Sequence, residues 1–482
     1  MSTLVARLAD AVNPIVVKEV RQGLRTRVFW ICFSLMLLAC VTIALVAFAA
    51  TQDKGVNQDG AYYFFAFFSC VGVAQFFIIP YSAYRSLARE REDETWVLLT
   101  LTGLGPRRIL RGKLGSYLVQ SALYGSAAGP FLLFSYYLNG IDLPTIGILV
   151  GLGIVYTLFL TAVSVCVASL AESRVFRALM HFTLLGGLLM AGGFAIGATT
   201  GILAGGSQLM GKSEFWYLLG AGFWAMLSYG LMLFEAAAAR MSLLTENYAR
   251  GPRLALLLQM LGSLGVFAWI WMREGYNVEV LVAAQIIFML NLAGVGLFLA
   301  TDYDGQTAAQ RLKTNVFSLL RPGALRGFRF VLLLTGVVTV ALALLTPLAK
   351  GNHAVLVHAG YTTIAAGAYV VLYLSLPIIL TRAIYHYNFS TPGVGRLLFV
   401  FILIAASGGP PLISLILGGE GSDPIINLFN PIVGMAKFAD SIKPWNDVRV
   451  MGLEDVIVLG AVAAIAAIIA DRVLSLRDDR TL

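Results

Sequence analysis

Eight residues, Gly206-Ser207-Gln208-Leu209-Met210-Gly211-Lys212-Ser213, spell G-x-x-x-x-G-K-[ST], the letters of a phosphate-binding loop. In a genuine loop the backbone amides and the lysine cradle nucleotide phosphates. That chemistry needs a buried strand before the loop, a helix after it and a soluble α/β domain around both. Here a long apolar run precedes the match, and no nearby run of apolar residues ends in Asp. The match therefore reads as coincidence, and the chain is not expected to hydrolyse ATP. Cys32, Cys40, Cys70 and Cys166 fall inside apolar runs without pair or metal spacing, and read as small packing residues. His181, His353, His358 and His386 are scattered at run edges and in loops, so no metal site is expected.

Two charged stretches carry more information. Residues 13–25 read NPIVVKEVRQGLR. Asn13 followed by Pro14 marks a helix start. At 100° per residue Val16, Val17, Val20 and Leu24 form one arc, and Lys18, Arg21 and Arg25 the neighbouring one, with Glu19 between them in sequence. This pattern suits a helix lying in a membrane interface. Residues 85–113 form the most charged part of the chain. Alternating charge through Glu90-Arg91-Glu92 gives way to an apolar patch with Thr95, Trp96, Leu98 and Leu99. A Gly-Pro turn and a basic segment with Arg107, Arg108 and Arg111 then lead to Gly112-Lys113. A solvated loop has no need of such a patch, which points to docking of a partner or shallow burial in the interface. The plainer alternative is a solvated stop between two spans.

The elements that must position these residues follow from composition. Of 482 residues, 59% are hydrophobic and 12% charged, with mean hydropathy +0.82. Soluble domains carry about 25% charged residues, so a soluble enzyme, a disordered chain and a nucleic-acid binder are all excluded. Runs of about 20 apolar residues span a bilayer. Twelve are expected, at 28–50, 61–82, 114–138, 145–171, 178–204, 215–238, 254–272, 279–301, 330–349, 357–380, 397–418 and 452–470. No apolar leader precedes the first, so no cleavable signal peptide is expected. With both termini cytoplasmic, 27 of the 34 Lys and Arg lie inside. Only Lys54, Lys212, Arg273, Lys350, Lys437, Lys443 and Arg449 lie outside, the asymmetry that sets membrane orientation. The net charge of +8 thus belongs to flanks that meet anionic headgroups. The expectation is an all-α polytopic membrane protein, N-in and C-in, with an interfacial helix before the first span and membrane lipids as its surroundings.

The spans hold few ionisable groups away from their ends. Glu235 is the main exception, read as snorkelling to the interface near Arg240. The mid-span polar groups are neutral: Gln75, Gln120, Gln259, Gln285 and Asn291. Ion-coupled transporters place charged or protonatable side chains near midplane, so the energy for any uphill transport is expected from outside the membrane domain. Gly193, Gly197, Gly201 and Gly205 recur every four residues, a face for close helix approach. It serves either internal packing or a subunit contact or gate.

The interfacial helix and the loop at 85–113, in that order, resemble the membrane subunit of type-2 ABC transporters, the exporter-type permeases. Glu90-Arg91-Glu92, Thr95, Leu98-Leu99, Ile109 and Gly112-Lys113 match the family's E-R-E-x-G-T-L-E-x-L-L pattern and the helix that follows it. Glu94, Val97 and Gly103 depart from it, standing for Gly, an acid and Pro. Asn430-Pro431 before the last run is similar to the family's outer-face re-entrant segment. The resemblance covers about residues 13–240. It implies a permease in the bacterial inner membrane that is not itself an enzyme and holds no cofactor, with ATP and Mg bound by a separate ABC-type ATPase. Residues 85–113 would hold the coupling helix, with Glu90, Arg91, Glu92, Arg107 and Arg108 supplying charge and Trp96, Leu98 and Leu99 apolar burial. The family module has six spans. Residues 1–240 would then be one module, and 241–482 a degenerate repeat or an accessory bundle. A second permease copy or paralogue is a further implied partner. A twelve-span ion-coupled transporter and a non-catalytic membrane scaffold are the alternatives. The substrate is not legible.

Overall fold

The computed structural model describes residues 14–54, 60–92, 105–170, 174–243, 246–302, 316–384, 392–416, 426–440 and 451–480. Among these every regular element is helical, and the one extended pairing is an isolated bridge between Asn277 and Lys350. The chain divides into two compact units, Met1–Ser242 and Leu243–Leu482.

Unit 1 opens with α1 (Pro14–Leu24) and α2 (Arg27–Lys54). The next rod starts as α3 (Gly60–Gly72), passes through a π-helical turn (Val73–Ile78) and continues as α4 (Ile79–Glu92). Then come α5 (Pro106–Tyr137), α6 (Leu143–Leu170), α7 (Arg174–Met210) and α8 (Ser213–Met241). Pro14 starts α1, where a missing N–H costs nothing. Ile15 and Glu19 of α1 are buried while Lys18 and Arg21 are exposed. The helix is short because Thr26 caps the next one: its Oγ1 accepts from the Phe29 amide. The core gathers Phe64, Phe67, Phe76, Leu110 and Tyr124 from the α3–α4 rod and α5. Gly60 is held where its amide donates to the Asn139 carbonyl at 2.6 Å, and a Cβ there would lie 2.1 Å from that oxygen.

Unit 2 holds α9 (Arg250–Arg273), α10 (Val278–Ala300), a 3-10 turn (Val316–Leu320), α11 (Ala324–Leu345), a second 3-10 turn (Thr346–Leu348) and α12 (His353–Ile384). It ends with α13 (Pro392–Ile416), a short α14 (Val433–Asp440) and α15 (Leu453–Arg480). The hub is α12, the most buried of the long apolar helices, packed by α10, α11, α13, α14 and α15. Gly327 lets α11 touch the end of α10, since a Cβ there would meet the Leu299 carbonyl at 1.9 Å.

Eleven helices among the described residues are long and apolar enough to cross a membrane. Their outer faces are bare hydrocarbon: Leu35, Leu38 and Leu45 on α2, Phe182 and Met190 on α7, and Leu412 and Ile416 on α13 are exposed. Water does not tolerate apolar surface on that scale, and a bilayer does. This is the make-up of a multi-pass integral membrane protein. The count differs from twelve at one place. The run expected at 114–138 does form a helix, the 32-residue α5, but it is less apolar than the other eleven. Ser116, Tyr117, Gln120, Ser121 and Tyr124 lower its hydropathy, and all five turn into the unit 1 interior.

Candidate functional site

The two charged stretches of unit 1 come together around one lysine. Lys113 sits two turns into α5 and is 1% exposed, so its ammonium must be satisfied by protein. Its Nζ donates to Glu90 Oε1 at 2.8 Å, to Ser86 Oγ at 2.9 Å and to Glu19 Oε1 at 3.2 Å. Ser86 in turn donates to Glu19 Oε2 at 3.5 Å. Three elements supply these groups. Glu19 comes from the inner face of α1, Ser86 and Glu90 lie four apart on one face of α4, and Lys113 comes from α5. The helix α1 lies along α5, where a Cβ on Gly115 would meet Val16 at 3.2 Å and one on Gly23 would meet Gln120. Tyr117, one turn beyond Lys113, donates to the Ser82 carbonyl at 3.1 Å.

The rest of the charge run is engaged as well. Arg91 donates to the Ser169 carbonyl at the end of α6. Glu92 pairs with Arg177 near the start of α7 at 2.7 Å. On the other side of the loop, Arg107 Nε donates to Glu235 of α8, at 2.9 and 3.2 Å from its two oxygens. Thus α4 is tied to α1, α5, α6 and α7, and the start of α5 to α8.

No family model matches the chain. No curated protein and no solved structure matches it either.

Of the residues singled out above, Glu19, Glu90, Arg91, Glu92 and Arg107 are brought into this cluster or its flanks. Lys18, Arg21, Arg25 and Arg108 are exposed on the same elements. Asn13, Thr95, Trp96, Leu98 and Leu99 lie outside the described residues. Glu235 is paired with Arg107 across the α5–α8 contact, which a reading limited to neighbours in sequence does not find. Ser86 and Arg177 were not singled out, and Lys113 was named only within the Gly112-Lys113 match. The signal for Lys113 was present: a lysine that opens an apolar run needs an acid as partner, and the two charged stretches hold Glu19 and Glu90 among theirs.

Elsewhere, the phosphate-loop letters fall at the turn between α7 and α8, with helix and not strand before them. Gly206 departs from helical geometry there, with φ 46° and ψ −140°. Gly193, Gly197 and Gly201 are exposed, and a Cβ on any of them meets nothing within 4 Å, so among the described residues no helix of unit 1 packs on that face. On the same helix, a Cβ on Gly205 would meet Leu209. In unit 2 Asn430 is fully buried and caps α14, its Oδ1 accepting from the amides of Ile432 and Val433 at 3.0 Å. Tyr369 of α12 holds the same segment, donating to the Leu428 carbonyl at 2.6 Å, and Pro431 beside it is half-buried. This eight-residue helix is too short to span a bilayer.

A second buried cation was not foreseen at all. Arg253 of α9 is 0% exposed. It donates to the carbonyls of Leu319, Arg321 and Gly323, and its Nη2 lies 3.5 Å from Asp302. Arg253 thereby fastens the segment before α11 to the start of α9.

Proposed function

We propose that this chain is the membrane-spanning permease subunit of an ATP-driven ABC exporter in the bacterial cytoplasmic membrane, energised by a separate ATPase that docks on residues 93–104. One observation carries the reading: α4 and α5, the helices that flank that stretch in sequence, are tied by ion pairs and hydrogen bonds to each other and to four other helices. Helices joined in this way transmit force from the stretch between them. Displacement of a partner bound to it would move α4 and α5 together, and through Glu19, Ser169, Arg177 and Glu235 would load α1, α6, α7 and α8. The scarcity of ionisable groups in mid-span supports an outside source of energy. In this reading the chain has twelve spans with both termini cytoplasmic, and α5 is the third. Apolar Trp96, Leu98 and Leu99 supply the docking contact, because Glu90, Arg91 and Glu92 already have work inside unit 1.

The test is co-purification of tagged full-length chain with an ATPase, read by ATP turnover in liposomes. Trp96→Ala is expected to lower partner recovery and coupled turnover at least about tenfold, the scale of a buried aromatic contact of about 2 kcal/mol. Glu92→Lys breaks the pair to Arg177, and adding Arg177→Glu restores it with charges reversed. Recovery of coupling in the double variant is expected if the pair acts as a mount. Full coupling with Trp96→Ala would sink the docking reading. Transport by the chain alone, driven by a pH or sodium gradient, would favour the ion-coupled alternative.

A further inference from the structure

Helices α5, α6 and α8 line an open cleft of about 440 Å3 in unit 1. That size lies in the range of roughly 300–1,000 Å3 used for small-molecule sites. Its walls are apolar, with Leu158, Phe159, Met226 and Leu231 among them. There is room at Gly230, where a Cβ would come no closer than 3.9 Å to Phe159. Leu227 and Leu231 also line it and are 43% and 39% exposed, so the cavity opens on the lipid-facing side of α8.

Charge stands at one end only. Arg111 and Glu235 line the cavity there, and Glu235 is taken by Arg107 at 2.9 Å. Arg107 and Arg111 are four residues apart on one face of α5. Arg111 is exposed and makes no ion pair among the described residues. An apolar cleft gains dispersion contacts from whatever fills it, and in a bilayer the nearest such material is an acyl chain. A guanidinium at the mouth matches a phosphate with two parallel hydrogen bonds.

We propose that this cavity binds an anionic phospholipid, with one acyl chain in the cleft and the headgroup phosphate on Arg111. The opening toward the hydrocarbon-facing surface favours a lipid over a soluble phosphate compound. The site is independent of the export reading and needs only that unit 1 sits in a bilayer.

The test is native mass spectrometry of the full-length protein titrated with phosphatidylglycerol or with phosphatidylcholine of the same chains. The wild type is expected to hold the anionic lipid about tenfold more tightly, because the choline ammonium of phosphatidylcholine offsets the attraction of its phosphate to Arg111. Arg111→Gln, a change at an exposed position that spares the fold, abolishes that preference, whereas Arg108→Gln outside the cavity keeps it. Gly230→Leu fills the cleft and weakens both lipids, with the unfolding midpoint measured alongside. A preference that survives Arg111→Gln overturns the proposal, as does displacement of the lipid by soluble glycerol 1-phosphate.

Discussion

A single ammonium buried against two carboxylates costs more to break than to keep. Lys113 is 1% exposed, and Glu19 and Glu90 are 8% and 19% exposed in their side chains. Removing one partner of a buried ion pair leaves uncompensated charge, at about 3–5 kcal/mol. Lys113→Met is therefore expected to lower the unfolding midpoint of the purified protein by that order of stability. Adding Glu19→Gln and Glu90→Gln removes the stranded charges and is expected to recover most of the loss. If the single variant is as stable as the parent, the cluster is not what holds α1 to α4 and α5. At this scale the sequence was half legible. Glu19, Glu90, Arg91 and Glu92 stood out as charges near apolar runs, but their partners lie 23 to 94 positions away. Only the packing of the helices shows that these charges face inward.

At the scale of elements, the rod from Gly60 to Glu92 is the informative one. It is interrupted by a π-helical turn at Val73–Ile78, the sort of irregularity often found at functional positions. The turn carries Gln75, buried, whose Oε1 lies 3.2 Å from the Thr157 hydroxyl of α6. Hydrogen bonds of this kind between spans average about 0.6 kcal/mol and reach about 1.7. Gln75→Leu is expected to cost that much in a reversible unfolding assay, with Thr157→Val adding little on top. Additive losses from the two changes would show that the side chains do not act as a pair. Hydropathy located this rod and nearly all the others, because an apolar stretch bounded by charge has one outcome in a bilayer. It placed α5 as well, yet that helix is the least apolar of the long ones. Its Ser116, Gln120 and Tyr124 face protein and not lipid, a distinction that composition does not carry.

For the whole molecule, orientation is expected to follow from where basic residues lie. Single cysteines at positions 54, 212 and 350, in a background with the four native cysteines replaced, are expected to react with a membrane-impermeant maleimide in intact cells. Cysteines at 108, 311 and 477 are expected to react only after the membrane is opened. Labelling of position 108 in intact cells would invert the topology and remove residues 93–104 from reach of a cytoplasmic ATPase. The division at Ser242 and Leu243 falls in the short connection between α8 and α9.

By itself the sequence determined that this protein is helical and lives in a membrane. Those properties depend on hydropathy and charge summed over twenty residues at a time, and such sums do not need partners. The tertiary structure decided which charges are buried, that Arg253 fastens unit 2 from within, that the glycine face of α7 is bare among the described residues of unit 1, and that a cleft lies beneath Arg111. Each of these turns on a few ångströms between side chains far apart in the chain, and helix packing alone sets those distances.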